Sequence, residues 1–323
     1  MGALLLPSAH HRRWHQRGPT QHHRGTPPWT PPRTSALTLP EPDPRTTPRN
    51  RRQPVSDDSR FDDFEYIRFE RDGDVLVVTV DKPDDDLNKV DAKMHHELTL
   101  LFKELREERE ARAVLLAGTE QAFTAGGDFA WFPRFAEPGY AADIRLDGKS
   151  IVWNMLDVHL PIVCAVTGHA MGLGASIALL ADITVMSDTA RLGDPHVKVG
   201  IVAGDGGTVA WPLAVGPQLA KRYLLTGDPV TAADAEKMGL IVESASDPEA
   251  CVAAGLAWAK RLAAGAPQAV QFTKQAINTW IKQTCGPAFD LSTALETVTF
   301  ASEDFHEALS ALTEKREPRF TGK

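Results

Sequence analysis

The chain has 323 residues, 42% of them apolar and 24% charged, which suits one or two globular domains. No apolar run approaches the roughly 18–20 residues of a spanning helix, and three scattered cysteines (Cys164, Cys251, Cys285) form neither a disulfide framework nor a thiolate metal site. The sequence therefore predicts a protein of a reducing, cytoplasmic compartment, with no membrane partner. The net charge of −8 is uneven: residues 1–60 hold ten arginines against four acids, so the remainder carries −14 and makes a poor nucleic-acid partner.

Residues 1–60 also hold eleven of the 23 prolines and no periodic apolar pattern. Such a segment buries too little to offset its ordering entropy, and it reads as a disordered Pro/Arg-rich extension. From Phe61 the pattern changes. Tyr66–Glu70 and Val75–Val80 flank the turn Arg71-Asp72-Gly73-Asp74 and predict a hairpin. Asp91 caps a helix running to about Arg109, with Met94, Leu98, Leu101, Phe102 and Leu105 at helical spacing. Ala113–Ala117 reads as a buried strand, and a loop from Thr119 to Tyr140 carries Phe129, Trp131, Phe132, Phe135 and Tyr140. A helix over 143–157, a strand Ile162–Val166, a glycine-rich turn from Gly168 to Gly174, a helix Ala175–Ala181 and a strand Ile183–Ser187 follow. Beyond Gly206 the pattern is mostly helical, punctuated by Gly-Pro and Gly-Asp-Pro turns.

Two segments offer backbone donors. In Ala125-Gly126-Gly127-Asp128 the paired glycines admit a ligand close to the main chain, and Asp128 is placed to cap the next turn. In Gly172-Leu173-Gly174 the free N–H groups of a helix start are available. Two such donors meeting at one point form an oxyanion hole.

In this order and at about 45 residues' separation, the two segments resemble the signature of the crotonase (enoyl-CoA hydratase/isomerase) superfamily. So do Lys82-Pro83 with Leu87-Asn88-Lys89-Val90, and Gly193-Asp194-Pro195-His196 leading to Gly204-Asp205-Gly206-Gly207. The stretches Leu225-Thr226-Gly227 and Ser302-Glu303-Asp304-Phe305 also fit. The resemblance implies an α/β fold, a crotonase-like spiral of strand-strand-helix units with a C-terminal helical region. It divides the chain into the extension 1–60, a spiral core 61–255 and a C-terminal helical trimerisation region 256–323. It implies trimers or hexamers and an acyl-CoA or other small carbonyl substrate, with coenzyme A as part of the substrate and no separate cofactor. Gly127 and Leu173 match the oxyanion donors, while Ala125, Gly126, Asp128, Gly172 and Gly174 match the substrate-binding loops.

The acid/base positions depart from the hydratase pattern. The two glutamates that hold water in hydratases are replaced by Ser176 and His196. The sequence offers His196 with Asp205, nine residues on, as proton carriers, with the carboxylate setting the tautomer of the ring. This third motif is similar to that of 6-oxocamphor hydrolase, a retro-Claisen member of the family. Asp143 and Asp147 are further acids on a helix flanking the expected pocket. His95-His96 lack carboxylate or thiol neighbours at ligand spacing, and no metal site is expected. Three functions follow as expectations: an enoyl-CoA hydratase/isomerase-like enzyme working through an enolate; a C–C hydrolase of β-dicarbonyl compounds; and a non-catalytic scaffold for acyl-CoA or RNA.

Overall fold

The computed structural model describes residues 58–137 and 139–323. Most of the extension expected over residues 1–60 lies outside them. Its last residues, however, belong to the fold. Asp58–Phe61 forms a 3-10 turn, and Arg60 donates to the buried carboxylate of Glu108 at 2.9 Å. That carboxylate also takes Arg71 and the N–H groups of Glu110 and Ala111, as a buried charge requires.

Strands β1 (Ile67–Asp72) and β2 (Val75–Val80) pair antiparallel around a tight turn at Gly73-Asp74. Helix α1 (Ala92–Glu107) starts where the Asp91 side chain accepts from the Met94 N–H at 2.9 Å. The chain then alternates: β3 (Ala113–Ala117), β4 (Ala122–Thr124), α2 (Tyr140–Asp157), β5 (Ile162–Val166), β6 (His169–Met171), α3 (Leu173–Leu180), β7 (Ile183–Ser187), β8 (Arg191–Gly193) and α4 (Gly207–Thr226). Short elements β9 (Val230–Thr231), α5 (Ala232–Met238) and β10 (Glu243–Ala245) lead to α6 (Pro248–Ala263), α7 (Pro267–Thr299) and α8 (Glu303–Glu314).

Each turn of the spiral gives one strand to each of two sheets. The larger has the order β1-β2-β3-β5-β7-β10, the smaller β4-β6-β8-β9. From β2 onward the larger sheet is parallel, and its inner strands are predominantly apolar because both faces are covered, with Thr184 and Ser187 of β7 the buried polar exceptions. Strand register therefore fixes where each following loop emerges. The loops after β4 and β6, neighbours in the smaller sheet, leave side by side.

The expected boundary at 255/256 does not divide the structure. Helix α6 runs across it and packs Cys251, Ala259 and Ala263 against Leu115, Val163 and Ala165 of the larger sheet. The separate helical region begins at α7, which is tied back to the spiral. Lys274 Nζ donates to Leu160 O at 2.8 Å, and Asn278 Nδ2 to Leu156 O at 2.9 Å. Lys149 pairs with Asp290 at 2.5 Å, so the C-terminal half of α7 lies over α2. Among the described residues, no helix is long and apolar enough to cross a membrane.

Candidate active site

A cavity of about 170 Å³ lies among the loops after β4, β6 and β8, with α1, α2 and α7 completing its wall. The loop after β4 is held by the segment preceding α1. Ala125 N donates to Leu87 O, Val90 N to Gly126 O, and Asp128 N to Val90 O, all at 2.8–2.9 Å. Asn88, fully buried, locks that segment by donating to Val80 O and Ala122 O at 2.9 and 3.0 Å. These bonds use Gly126 O and Asp128 N, so the Gly127 N–H stays outside the ladder.

The second loop turns at Gly172, whose φ of +55° suits glycine alone and lets α3 begin at Leu173. A Cβ there would stand 3.0 Å from Cε1 of His196, so the imidazole lies directly over this backbone. As the first helical residue, Leu173 has an N–H with no intrahelical acceptor. Gly127 and Leu173 both line the cavity, together with Ala125, Gly126 and Gly172.

His196 sits between carboxylates. Its Nδ1 donates to Asp194 Oδ1 at 2.5 Å, Nε2 faces Asp205 Oδ2 at 3.3 Å, and Glu296 Oε1 lies 3.9 Å from Nε2. Asp194 is fully buried, and the other three side chains are 13–16% exposed. Burial favours the neutral imidazole, but attraction to Asp205 and Asp194 and their hydrogen bonds outweigh it. They hold the His196 pKa well above its ordinary value. Burial pushes the Glu296 carboxyl well up, and repulsion from Asp205 and Asp194 adds to this against the attraction of His196. The surroundings thus favour the protonated forms of the imidazole and of Glu296, with proton exchange shared across the set. Ser176 donates to Asp205 Oδ1 at 3.4 Å. Glu296 reaches the ring because Gly204 has no side chain: a Cβ there would fall 2.6 Å from Glu296 Cβ.

Most of the expected site residues converge: Ala125, Gly126, Gly127, Gly172, Leu173, His196 and Asp205 share one cavity. Two do not reach it. Asp128 turns away to cap its own loop, accepting from Ala130 N at 3.0 Å, and Gly174 is buried against Thr124 of β4. Asp143 and Asp147 also stay off the wall. One role is corrected. The carboxylate on Nδ1 that sets the tautomer is Asp194, not Asp205, because the 3-10 turn His196–Val199 folds the ring back toward the end of β8.

Sequence reasoning missed Asp194, Glu296 and His95 as site residues. Asp194 stands two residues before His196 at the end of a buried strand, a readable signal. His95 lies on the apolar stripe of α1 beside Met94 and Leu98, where a polar side chain is out of pattern. Glu296 carries no local signal, because it comes from a helix a hundred residues away. Asp194, His196 and Asp205 bring ligand-type atoms within 4.8 Å of one another. The two carboxylates occupy opposite ring nitrogens, which is the geometry of a hydrogen-bonded relay and not of ligands converging on one point.

Comparison with known proteins gives a consistent picture. The family model described as enoyl-CoA hydratase/isomerase matches residues 70–323. A probable enoyl-CoA hydratase of Mycobacterium tuberculosis is 30% identical over 260 residues, covering 80% of this chain and 98% of that protein. The crystal structure of an enoyl-CoA hydratase/isomerase from Mycobacterium paratuberculosis superposes with a TM-score of 0.72 at 37% identity, over 76% of this chain and 97% of that one. A β-diketone hydrolase from the cyanobacterium Anabaena, bound to an oxocyclohexyl acetic acid, superposes with a TM-score of 0.71 at 27% identity, over 76% and 98%.

Proposed function

The chain belongs to the enoyl-CoA hydratase/isomerase family, and we propose that it acts on an acyl-CoA thioester through an enolate held at the Gly127 and Leu173 N–H groups. The thioester oxygen accepts from both donors and takes up negative charge as the α-carbon loses its proton. In a largely dry pocket, such fixed donors supply the stabilisation that water would otherwise give. Proton transfer falls to the set around His196. Asp205, on the cavity wall, accepts a proton; the imidazolium, supported from behind by Asp194, donates one; Glu296, whose burial favours its protonated form, replenishes it. Coenzyme A enters with the substrate, and the scheme calls for no further cofactor.

The observation that carries this reading is the meeting of Gly127, Leu173, His196 and Asp205 on one cavity. The test is exchange of the α-protons of a saturated acyl-CoA in D2O, followed by NMR. Exchange is expected in the native enzyme and lost at least about a hundredfold in His196→Ala. Exchange that survives the substitution would remove His196 from the reaction.

The replacement of both hydratase glutamates by Ser176 and a carboxylate-bracketed imidazole favours one other reading, C–C hydrolysis of a β-dicarbonyl compound. Water would add to one carbonyl while giving a proton to Asp205. The C–C bond would break to a carboxylic acid and an enolate, and His196 would return a proton to the enolate carbon. Cleavage of a cyclic 1,3-diketone without coenzyme A would select this reading over the first.

Assembly through α7 is part of the proposal. Phe272, Ile277, Trp280, Leu291 and Val298 are each more than half exposed on this helix, more apolar surface than a lone chain ordinarily presents. Sedimentation is expected to give a trimer or hexamer, and a monomer would overturn this point.

A further inference from the structure

His95 forms part of the cavity wall contributed by α1 and makes no ion pair among the described residues. It is 6% exposed, lines the same cavity as His196, and packs 5.5 Å from the ring of Trp131. Among the described residues the buried Nδ1 has no hydrogen-bond partner, and Nε2 lies beside Gly148, where a Cβ would stand 3.7 Å from it. Burial drives the ring to the neutral form, with its pKa pushed down to about 4 against a small opposing pull from Asp147 and Asp205. A neutral imidazole has one N–H and one lone pair, and leaving both unpaired in an apolar wall is costly unless a ligand repays it. Beside it the wall is Trp131, Phe132, Phe135 and Ile144, and the one polar group among these, the Trp131 indole N–H, is spent on the Tyr140 hydroxyl at 2.6 Å; Arg145 and Lys149 of α2 also line the cavity, but neither bonds His95 among the described residues. The lone pair on the enclosed Nδ1 and the proton on Nε2 is the arrangement that leaves the donor free for an incoming group.

We infer that His95 is a specificity-determining residue, donating from Nε2 to a second oxygen of the substrate, a ketone or comparable acceptor set apart from the carbonyl held at Gly127 and Leu173. The inference rests on the reading of the cavity as the acyl site, and it deepens that reading. The substrate class becomes oxygenated acyl groups or dicarbonyl compounds in place of plain alkyl chains. A site built to hydrogen-bond an oxygen rejects the analogue that lacks it more strongly than an apolar pocket separates chain lengths.

Calorimetric titration of the full chain tests this. The probes are hexanoyl-CoA against its 3-oxo, 4-oxo and 5-oxo derivatives, and cyclohexanone against cyclohexane-1,3-dione as a pair free of coenzyme A. At least one oxygenated ligand is expected to bind about tenfold or more tightly than its parent. His95→Leu is expected to reduce the ratio of oxygenated to parent affinity to about one, and His95→Gln to restore part of it; thermal melting checks the fold of both variants. If no oxygenated ligand gains over its parent, or the gain survives His95→Leu, the inference is wrong. If the thioesters fail to bind while the dione keeps a His95-dependent gain, the acyl-CoA reading falls and this inference stands. Silence from both sets removes both.

Discussion

The wall around His196 and the wall around His95 put the same side chain to opposite uses. At the first, two carboxylates within hydrogen-bond reach overcome the cost of burial and keep the ring charged. At the second, aromatic and aliphatic neighbours surround the ring, the pull of Asp147 and Asp205 does not match the effect of burial, and the neutral form is favoured. Depth of burial alone does not decide a histidine's charge; the count and distance of its acidic neighbours do. The cavity thereby gains a proton donor at one end and a neutral hydrogen-bond donor at the other, from one residue type.

The sharpest way to break this contrast is to remove the charged end. Asp194→Ala leaves Nδ1 of His196 without its acceptor, and α-proton exchange is expected to fall by about 10²–10⁴-fold, close to the loss in His196→Ala. An Asp194→Ala enzyme with native exchange would mean that the tautomer of His196 does not matter.

The neutral end is read by stability against pH. The folded pKa of His95 is depressed from 6.5 to about 4, so it adds no pH-linked cost above pH 6.5 and a progressively larger one as pH falls through that window. Between pH 7 and pH 4 the native chain is expected to lose about 3 kcal/mol more than His95→Leu, measured by chemical denaturation. His196 has the reverse sign. Its raised pKa makes its stabilisation complete below pH 6.5 and loses it as pH climbs through the raised value. Parallel acid profiles for the native and His95→Leu chains would show that His95 is not held neutral.

A smaller effect is expected from Gly172→Ala. The new methyl sits on a backbone at φ +55° and meets Cε1 of His196 at 3.0 Å. A loss of about 1–3 kcal/mol in stability is expected, with reduced exchange. Smallest is Glu296→Gln, which removes a proton reserve but keeps shape. The alkaline limb of the exchange rate is expected to move, with a rate change of about tenfold or less at neutral pH. An unmoved limb would place Glu296 outside the proton path.

Much of this was legible in the chain. Strands such as Ala113–Ala117, Ile162–Val166 and Ile183–Ser187 were readable to the residue because each is a short apolar run between turn signals. The very short β4 and β6 were not, since three residues carry no period and owe their form to pairing in the smaller sheet. Of the site, the glycine loops and His196 were visible as motifs. Asp205 was visible too, but its side of the ring was not.

The alternating elements and the two glycine loops could be read from the chain alone, because they depend on neighbours a few residues apart; the replacement of the hydratase glutamates by Ser176 and His196 came from the family resemblance. It took the folded arrangement to lay Glu296 of α7 beside His196, to put Asp194 and not Asp205 on Nδ1, and to set His95 in the same cavity where burial favours its neutral form. Charge states and cavity walls are set by groups brought together from distant segments, and their interaction depends on distances and burial that no local pattern encodes.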